Sequence, residues 1–545
     1  MTAQEFEYIV VGGGSAGCVL AARLTEDPSI RVLLLEAGRS SGGWLDYWHM
    51  EMPAAFDHAW RNPRYSWQYH GEEEPTLKGR RIFQPRGKVL GGSSRINGLV
   101  FFRGHPLDYD GWSQGGAQGW SWREVLPYFK RLETWQDGEN SHRGGSGPIH
   151  VVTGSCSGPL DQAFLEAGEQ AGYPLTDDIN GAQQEGFGAL QMNVHDGVRS
   201  STEEGYIRPN RGRGNLVVLD RATAHELLFE GDRVVGVRFI RGGVPQVARA
   251  TRELILSSGA VNSPQLLMLS GLGPAAHLKE VGVRCRVDLP EVGRNLQDHP
   301  LIYMQYGVKK PVSIIRNLRP DRMLKIGLQW MATRTGPGAT NNVETGALIR
   351  SGASAAYPDM EIQFLPAVAD HDSGPVKVHG FTICIGPARI ESNGWVQLRS
   401  ADPTAPPRIL SNFMATDHDL QQHRRSIEMG REIAAQRAFQ ALGAYPIGLP
   451  DARGSRAEVD DFLRSSLQGD FHLVGTCRMG SDARSVVDPQ LRVRGVQGLR
   501  VVDASVMPSV VSVNTNATTI MIAERAADLI LGKRMPPLGD MPIPN

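Results

Sequence analysis

The sequence predicts an α/β protein that opens with a Rossmann-like strand–turn–helix–strand unit, and three observations carry that reading. Phe6 to Val11 is a short, nearly continuous apolar run, the composition of a buried parallel strand. It breaks at Gly12-Gly13-Gly14-Ser15-Ala16-Gly17 and resumes as Cys18-Val19-Leu20-Ala21-Ala22-Arg23-Leu24, which has helical spacing. A second strand, Arg31-Val32-Leu33-Leu34-Leu35, then ends in Glu36. Together these are G-x-G-x-x-G in its full context, with an acid about 20 residues on.

Each part has a physical role. Gly12 allows the tight turn, Gly14 lets a pyrophosphate reach the backbone, and Gly17 lets the helix pack close to the strand. The helix N-terminus turns free N–H groups and a partial positive charge toward phosphate. Glu36 suits a ribose 2′-hydroxyl and repels a 2′-phosphate, which disfavours NADP. The fingerprint alone leaves FAD and NAD both open. Gly13-Gly14-Ser15-Ala16-Gly17 also reads as G-x-S-x-G, the nucleophile elbow of serine hydrolases. That fold needs several strands before the elbow, and only about a dozen residues precede it here.

Composition narrows the class. At 545 residues the chain exceeds one ordinary core, so two large domains or one with large insertions are expected. Lys+Arg 57 against Asp+Glu 58 gives a net charge of −1, with no basic surplus for nucleic acid or an anionic membrane. No window approaches the ~18 uninterrupted apolar residues of a membrane span. The first strand starts too early to leave room for a signal peptide. The five cysteines are scattered, with no C-x-x-C, which supports neither a disulfide framework nor a zinc site. A reducing cytoplasm is the compartment expected.

Along the chain, the segment from Arg39 to Pro75 is irregular and aromatic-rich (Tyr47, Trp48, Trp60, Tyr65, Trp67, Tyr69), suited to packing or to covering a ligand. Gly87-Lys88-Val89-Leu90-Gly91-Gly92-Ser93-Ser94-Arg95-Ile96-Asn97-Gly98 is a second place where backbone meets a ligand or turns sharply, leading into a helical Leu99 to Phe102. Helices are expected near Trp122 to Leu132 and Leu160 to Ala171. Strands are expected at Leu216 to Leu219, Glu226 to Phe229, Val234 to Phe239 and Glu253 to Ala260. Asp370-His371-Asp372 has metal-ligand types, but adjacent residues do not converge on one ion, so a solvated turn is expected and no metal. Near the C-terminus, strand Leu499 to Val502 ends in Asp503-Ala504-Ser505, and Asn516-Ala517-Thr518 caps a long helix.

These stretches together resemble the glucose–methanol–choline (GMC) family of FAD-dependent oxidoreductases over essentially the whole chain. Four ordered segments carry the resemblance: Gly87 to Asn97, Gly259 to Gly273, Gly293-Arg294-Asn295-Leu296-Gln297-Asp298-His299, and Gly475-Thr476-Cys477-Arg478-Met479-Gly480. It implies a Rossmann-like FAD domain interleaved with an α+β substrate domain built on an antiparallel sheet. The FAD domain is assigned 1–104, 206–300 and 466–545, and the substrate domain 105–205 and 301–465. It also implies oxidation of a primary alcohol to an aldehyde, with O2 or a quinone or dye as acceptor.

By the same resemblance, His472 and Asn514 face the flavin as catalytic pair. FAD is placed against Gly12, Gly14, Ser15, Ala16, Gly17, Glu36, Ala37, Gly92, Asn97, Gly98, Val100, Thr223, Asp503, Ala504, Asn516 and Thr518. A neutral histidine takes a hydroxyl proton, and an asparagine amide donates to the developing oxyanion. Glu344 aligns with a glutamate that contacts trimethylammonium in choline-oxidising relatives, and Phe471 joins it as a candidate substrate contact. Three positions depart from the family pattern. Ile96 stands where some members attach FAD covalently, so dissociable FAD is expected. Leu473 replaces the usual proline, and Gly98 a serine. A flavin-retaining lyase, of the kind that cleaves hydroxynitriles, is the alternative on this scaffold; a serine hydrolase using Ser15 is the more distant one.

Overall fold

The computed structural model describes residues 4–40, 42–370, 374–533 and 535. The Rossmann-like unit forms from the apolar runs named above. Strand β1 (Gln4–Val11) runs into helix α1 (Ser15–Leu24), and β2 (Val32–Leu35) returns parallel to β1. Leu216–Leu219 extends the sheet beyond β2, and the C-terminal part of Val244–Leu256 lies on the other side of β1. Leu499–Val501 pairs parallel with that same segment. Five parallel strands therefore end at one edge, and a meander of Ala222–Glu230, Arg233–Arg241 and Val244–Arg249 continues the sheet antiparallel.

The second sheet is wholly antiparallel. Its order is Tyr445–Ile447, Pro300–Gly307, Gly380–Pro387, Met360–Leu365, Thr345–Ile349 and Gly186–Ala189. Because side chains alternate along a strand, one face carries Ile302, Ile362 and Ile385 into a core shared with helices Pro159–Gln170 and Asp417–Ala434. The opposite face carries Tyr303, Gln363 and Cys384. These three are cross-strand neighbours and line the central cavity.

Most expected elements form, and three local expectations are corrected. Leu99 to Phe102 is not helical: Leu99 takes a left-handed φ of 63° and Val100 bridges Met192, so the chain leaves the glycine turn extended. The second strand begins at Val32 rather than Arg31. Asn516 is no cap: it is the first residue of the helix Asn516–Ile530, and its side chain accepts a hydrogen bond from the Ser15 hydroxyl at 2.8 Å. The Asp370-His371-Asp372 turn lies outside the residues whose side chains are described. Among the described residues, no group of His, Cys, Asp and Glu converges for a metal, and no helix is long and apolar enough to cross a membrane.

Gly17 shows how tightly the unit is drawn together. A Cβ there would stand 1.9 Å from the Gly12 carbonyl oxygen, a backbone atom that cannot swing aside. Overpacking of this kind costs roughly 1–3 kcal/mol or more. Gly17→Ala is therefore expected to lower the unfolding midpoint, measured by denaturant titration.

Candidate active site

The carboxyl edge of the parallel strands opens into a cavity of about 1210 Å³ that runs between the two sheets. At one end lie the glycine turn and Glu36. The Glu36 carboxylate accepts the Gly13 N–H at 2.9 Å and the Gly38 N–H at 2.6 Å. Burial nonetheless pushes its pKa up to about 7. Gly92 is held against the turn: a Cβ on it would meet Gly14 Cα at 2.6 Å. A Cβ on Gly14 would instead meet nothing closer than 3.9 Å, so its open side faces the cavity. Asp503, at the end of Leu499–Val501, organises the neighbouring turn. It accepts Gly259 N–H at 2.9 Å, Ser263 Oγ–H at 2.5 Å and Ser505 N–H at 2.8 Å. Asn97 is oriented from behind by buried Arg199, which donates to its Oδ1 at 2.7 Å.

Of the residues expected to touch the cofactor, Gly12, Gly14, Ser15, Ala16, Glu36, Ala37, Gly92, Asn97, Gly98, Val100, Thr223, Asp503, Ala504 and Asn516 line this one cavity. Gly17 and Thr518 lie behind its wall. Gly17 packs on Gly12, and the Thr518 hydroxyl lies 2.8 Å from that of Tyr109. The Ser15 hydroxyl donates to an amide oxygen, which cannot take its proton; this bond gives no support to a hydrolase nucleophile.

The other end holds His472 and Asn514 in contact. Asn514 Nδ2 lies 2.9 Å from His472 Nε2, and His472 Nδ1 lies 2.9 Å from Nδ1 of His299. His299 Nε2 faces the Ala388 carbonyl at 3.2 Å, an oxygen that only accepts. These partners assign the protons along the row. His299 is protonated at Nε2 and accepts at Nδ1; His472 donates from Nδ1 and keeps its Nε2 lone pair; Asn514 donates to that lone pair. Asp470 Oδ2, 3.5 Å from His472 Nδ1, favours the same tautomer. The His472 backbone N–H is fixed by Asp298 Oδ1 at 2.6 Å. Burial, then the neighbouring His299 and Arg86, hold the His472 pKa well below the usual imidazole range, so the ring is a free base at neutral pH. Asn514 Oδ1 is buried with no hydrogen-bond partner in the protein. That orphaned acceptor, the open Gly14 turn and Glu36 fit a long dinucleotide with a polar ring system at the far end.

Glu344 is not brought into the cavity. Its carboxylate accepts from Ser155 Oγ at 2.7 Å, Cys156 N–H at 2.9 Å and Thr340 Oγ1 at 2.6 Å, and it pins a loop. The carboxylate that does face the cavity beside His472 is Asp470, which sequence reasoning missed. Burial, together with Glu361 and Asp298, pushes its carboxyl pKa well up. Phe471 lines the cavity with a left-handed φ of 64° and packs on Trp60, ring centroids 5.4 Å apart. Trp67 and Tyr69 stack at 5.8 Å and also line it, so part of the aromatic segment covers the cavity.

A cavity that runs from a dinucleotide-type glycine turn to a buried, neutral histidine suits a nucleotide-dependent oxidoreductase. The chain belongs to the GMC oxidoreductases: the N-terminal family model matches residues 6–301 and the C-terminal one residues 391–523. It is therefore an FAD-dependent enzyme acting on CH–OH donors. It is similar to mitochondrial choline dehydrogenase of Homo sapiens, 46% identical over 99% of this chain and 92% of the relative. It is also similar to an oxygen-dependent choline dehydrogenase of Brucella ovis, 43% identical over 97% and 96%. Among solved structures, pyridoxine 4-oxidase from Mesorbium loti superposes with a TM-score of 0.87 at 31% identity, covering 96% of this chain and 98% of that one. Aspergillus oryzae RIB40 formate oxidase, in a structure concerned with FAD modification, gives 0.90 at 26%, covering 98% and 99%.

If His299 holds the His472 tautomer, His299→Ala should lower kcat by roughly 10–100-fold with bound FAD unchanged. His299→Gln, which keeps an acceptor, should recover part of the loss; equal loss in both variants would show that His299 only fills space.

Proposed function

We propose that the enzyme oxidises a primary alcohol to an aldehyde, with His472 as the base. The observation that supports this reading is the row His299–His472–Asn514, which keeps an unprotonated Nε2 on His472 at the cavity wall, where its lone pair accepts from Asn514. The substrate hydroxyl enters between His472 and Asn514. Its proton passes to His472 Nε2, and the Asn514 amide N–H turns to the oxygen as charge develops on it. FAD, when bound, supplies the acceptor for the hydride that leaves the carbinol carbon. Gly12, Gly14, Gly92, Glu36 and Asp503 would hold the nucleotide, and Asn97, Gly98 and Val100 would lie at its reacting ring. Ile96 stands where covalent attachment occurs in some relatives, so the FAD is dissociable. O2 or a quinone-type molecule takes the electrons onward.

The substrate carries a cationic group close to the carbinol, as choline does. Both relatives above are named choline dehydrogenases. Asp470, which lines the cavity next to Phe471, is the carboxyl group placed to receive that cation, whose charge would favour its ionised form. Of the nearby guanidiniums, Arg61 pairs with Asp57 at 2.8 Å, and Arg86 is set against Asp298 while its Cζ lies 6.0 Å from the centre of the Phe471 ring.

Anaerobic addition of choline to the yellow enzyme should bleach the flavin absorbance; no bleaching by any primary alcohol would end this reading. His472→Ala should reduce kcat by roughly 10²–10⁴-fold while FAD stays bound. Because His472 is held below the usual imidazole value of 6.5, activity should persist through the acid range until that lowered pKa is reached. An acid limb of kcat/KM centred at or above 6.5 would contradict the assignment. Asp470→Asn should cut kcat/KM for choline by about tenfold or more yet spare the neutral isostere 3,3-dimethylbutan-1-ol. Acid precipitation should release all flavin into the supernatant.

A further inference from the structure

The helix Pro320–Thr333 has two apolar faces, and among the described residues only one is covered. Gly327 and Trp330 pack inward, where Trp330 joins a cluster with Met52 and Ala55. Leu324, Leu328 and Met331, spaced i, i+4 and i+7 on one side, are 66%, 54% and 47% exposed. The flanking charge is just as uneven. Between residues 309 and 334 the sequence carries seven Lys or Arg and one acid, Asp321, in a chain whose net charge is −1. Arg319 pairs with Asp321 at 3.1 Å, whereas Arg316, Arg322 and Lys325 project into solvent.

We propose that this helix is a docking surface for an anionic lipid bilayer, lying in the plane of the headgroups. Its 14 residues span about 21 Å, too short to cross a bilayer, and an exposed apolar stripe bordered by cations is the pattern of an interfacial helix. A second copy of the chain is the poorer occupant. Twofold pairing of this helix with itself would bring the seven cations of each copy together, whereas an anionic surface satisfies the apolar stripe and the charge at once. Ile314, Leu318 and Met323, in the same segment, border the cavity. Docking would therefore hold the cavity mouth against the lipid, where a lipid-soluble quinone could enter; this last point rests on the quinone acceptor of the proposed function.

The test is co-sedimentation of the full-length holoenzyme with vesicles of phosphatidylglycerol and phosphatidylcholine, beside vesicles of phosphatidylcholine alone. The enzyme should pellet with the anionic vesicles only, and high salt should weaken the association. Leu324→Glu with Leu328→Glu, and separately Arg322→Glu with Lys325→Glu, should each lower partitioning by about tenfold or more. Turnover with a water-soluble dye should be unchanged, since none of these four side chains borders the cavity. An enzyme that stays in the supernatant, or variants that bind like the parent, would overturn the surface. So would variants whose only effect is to split a dimer in analytical ultracentrifugation. Dye-linked turnover reads the proposed chemistry separately: its absence alongside intact vesicle binding would count against that chemistry and leave the surface standing.

Discussion

The buried row of two imidazoles and one amide is the interaction on which the site depends. His299 directly precedes a strand of the antiparallel sheet, and Asn514 lies just before the C-terminal helix, which packs on α1 of the Rossmann-like unit. His472 sits between them, hydrogen-bonded to both. Neither half alone fixes a proton on His472. The carbonyl of Ala388 orients His299, His299 orients His472, and the lone pair that results lies at the cavity wall. Burial makes the arrangement effective, because a desolvated imidazole resists protonation and remains a base at neutral pH.

Backbone conformation serves the same end on either side of the cavity. Leu99 and Phe471 both take left-handed φ angles, at 63° and 64°, a conformation that costs a bulky residue about 1–3 kcal/mol. One follows the Gly98 turn at the cavity wall, and the other immediately precedes His472. In both, the strained residue turns the chain so that its neighbour faces the cavity while its own side chain stays packed, Leu99 with Met192 and Phe471 with Trp60. Gly92 against Gly14 is the counterpart without strain, where the missing side chain lets two loops touch.

Charge follows a similar division between the average and the local. A chain with 57 basic and 58 acidic residues reads as neutral, and that balance gave no reason to expect an anionic surface as partner. Yet the segment around Pro320–Thr333 is strongly basic, and the residues near His472 include Asp298, Asp470 and Glu361. Burial raises all three carboxyls, with Asp298 and Glu361 each pushed up to about 7. Desolvation disfavours the charged form of each, so this part of the wall is less anionic than its composition suggests.

Local patterns were legible before any coordinates. The strand–glycine–helix unit, the acid at Glu36, most strands and the helices Trp122–Leu132 and Asn516–Ile530 follow from short-range sterics and apolar periodicity, which lie wholly in neighbouring residues. The family resemblance likewise marked His472 and Asn514. Tertiary structure decided what depends on distant partners. It turned Leu99 to Phe102 extended, drew Asn516 to Ser15 rather than to its own helix end, and tied Glu344 to Ser155, Cys156 and Thr340. It also set His299 against His472, 173 residues away, and put Asp470 on the cavity wall. A carboxylate or an imidazole has the same sequence signature whether it pins a loop or faces a substrate. Only the packing of the two sheets against each other determines which it does.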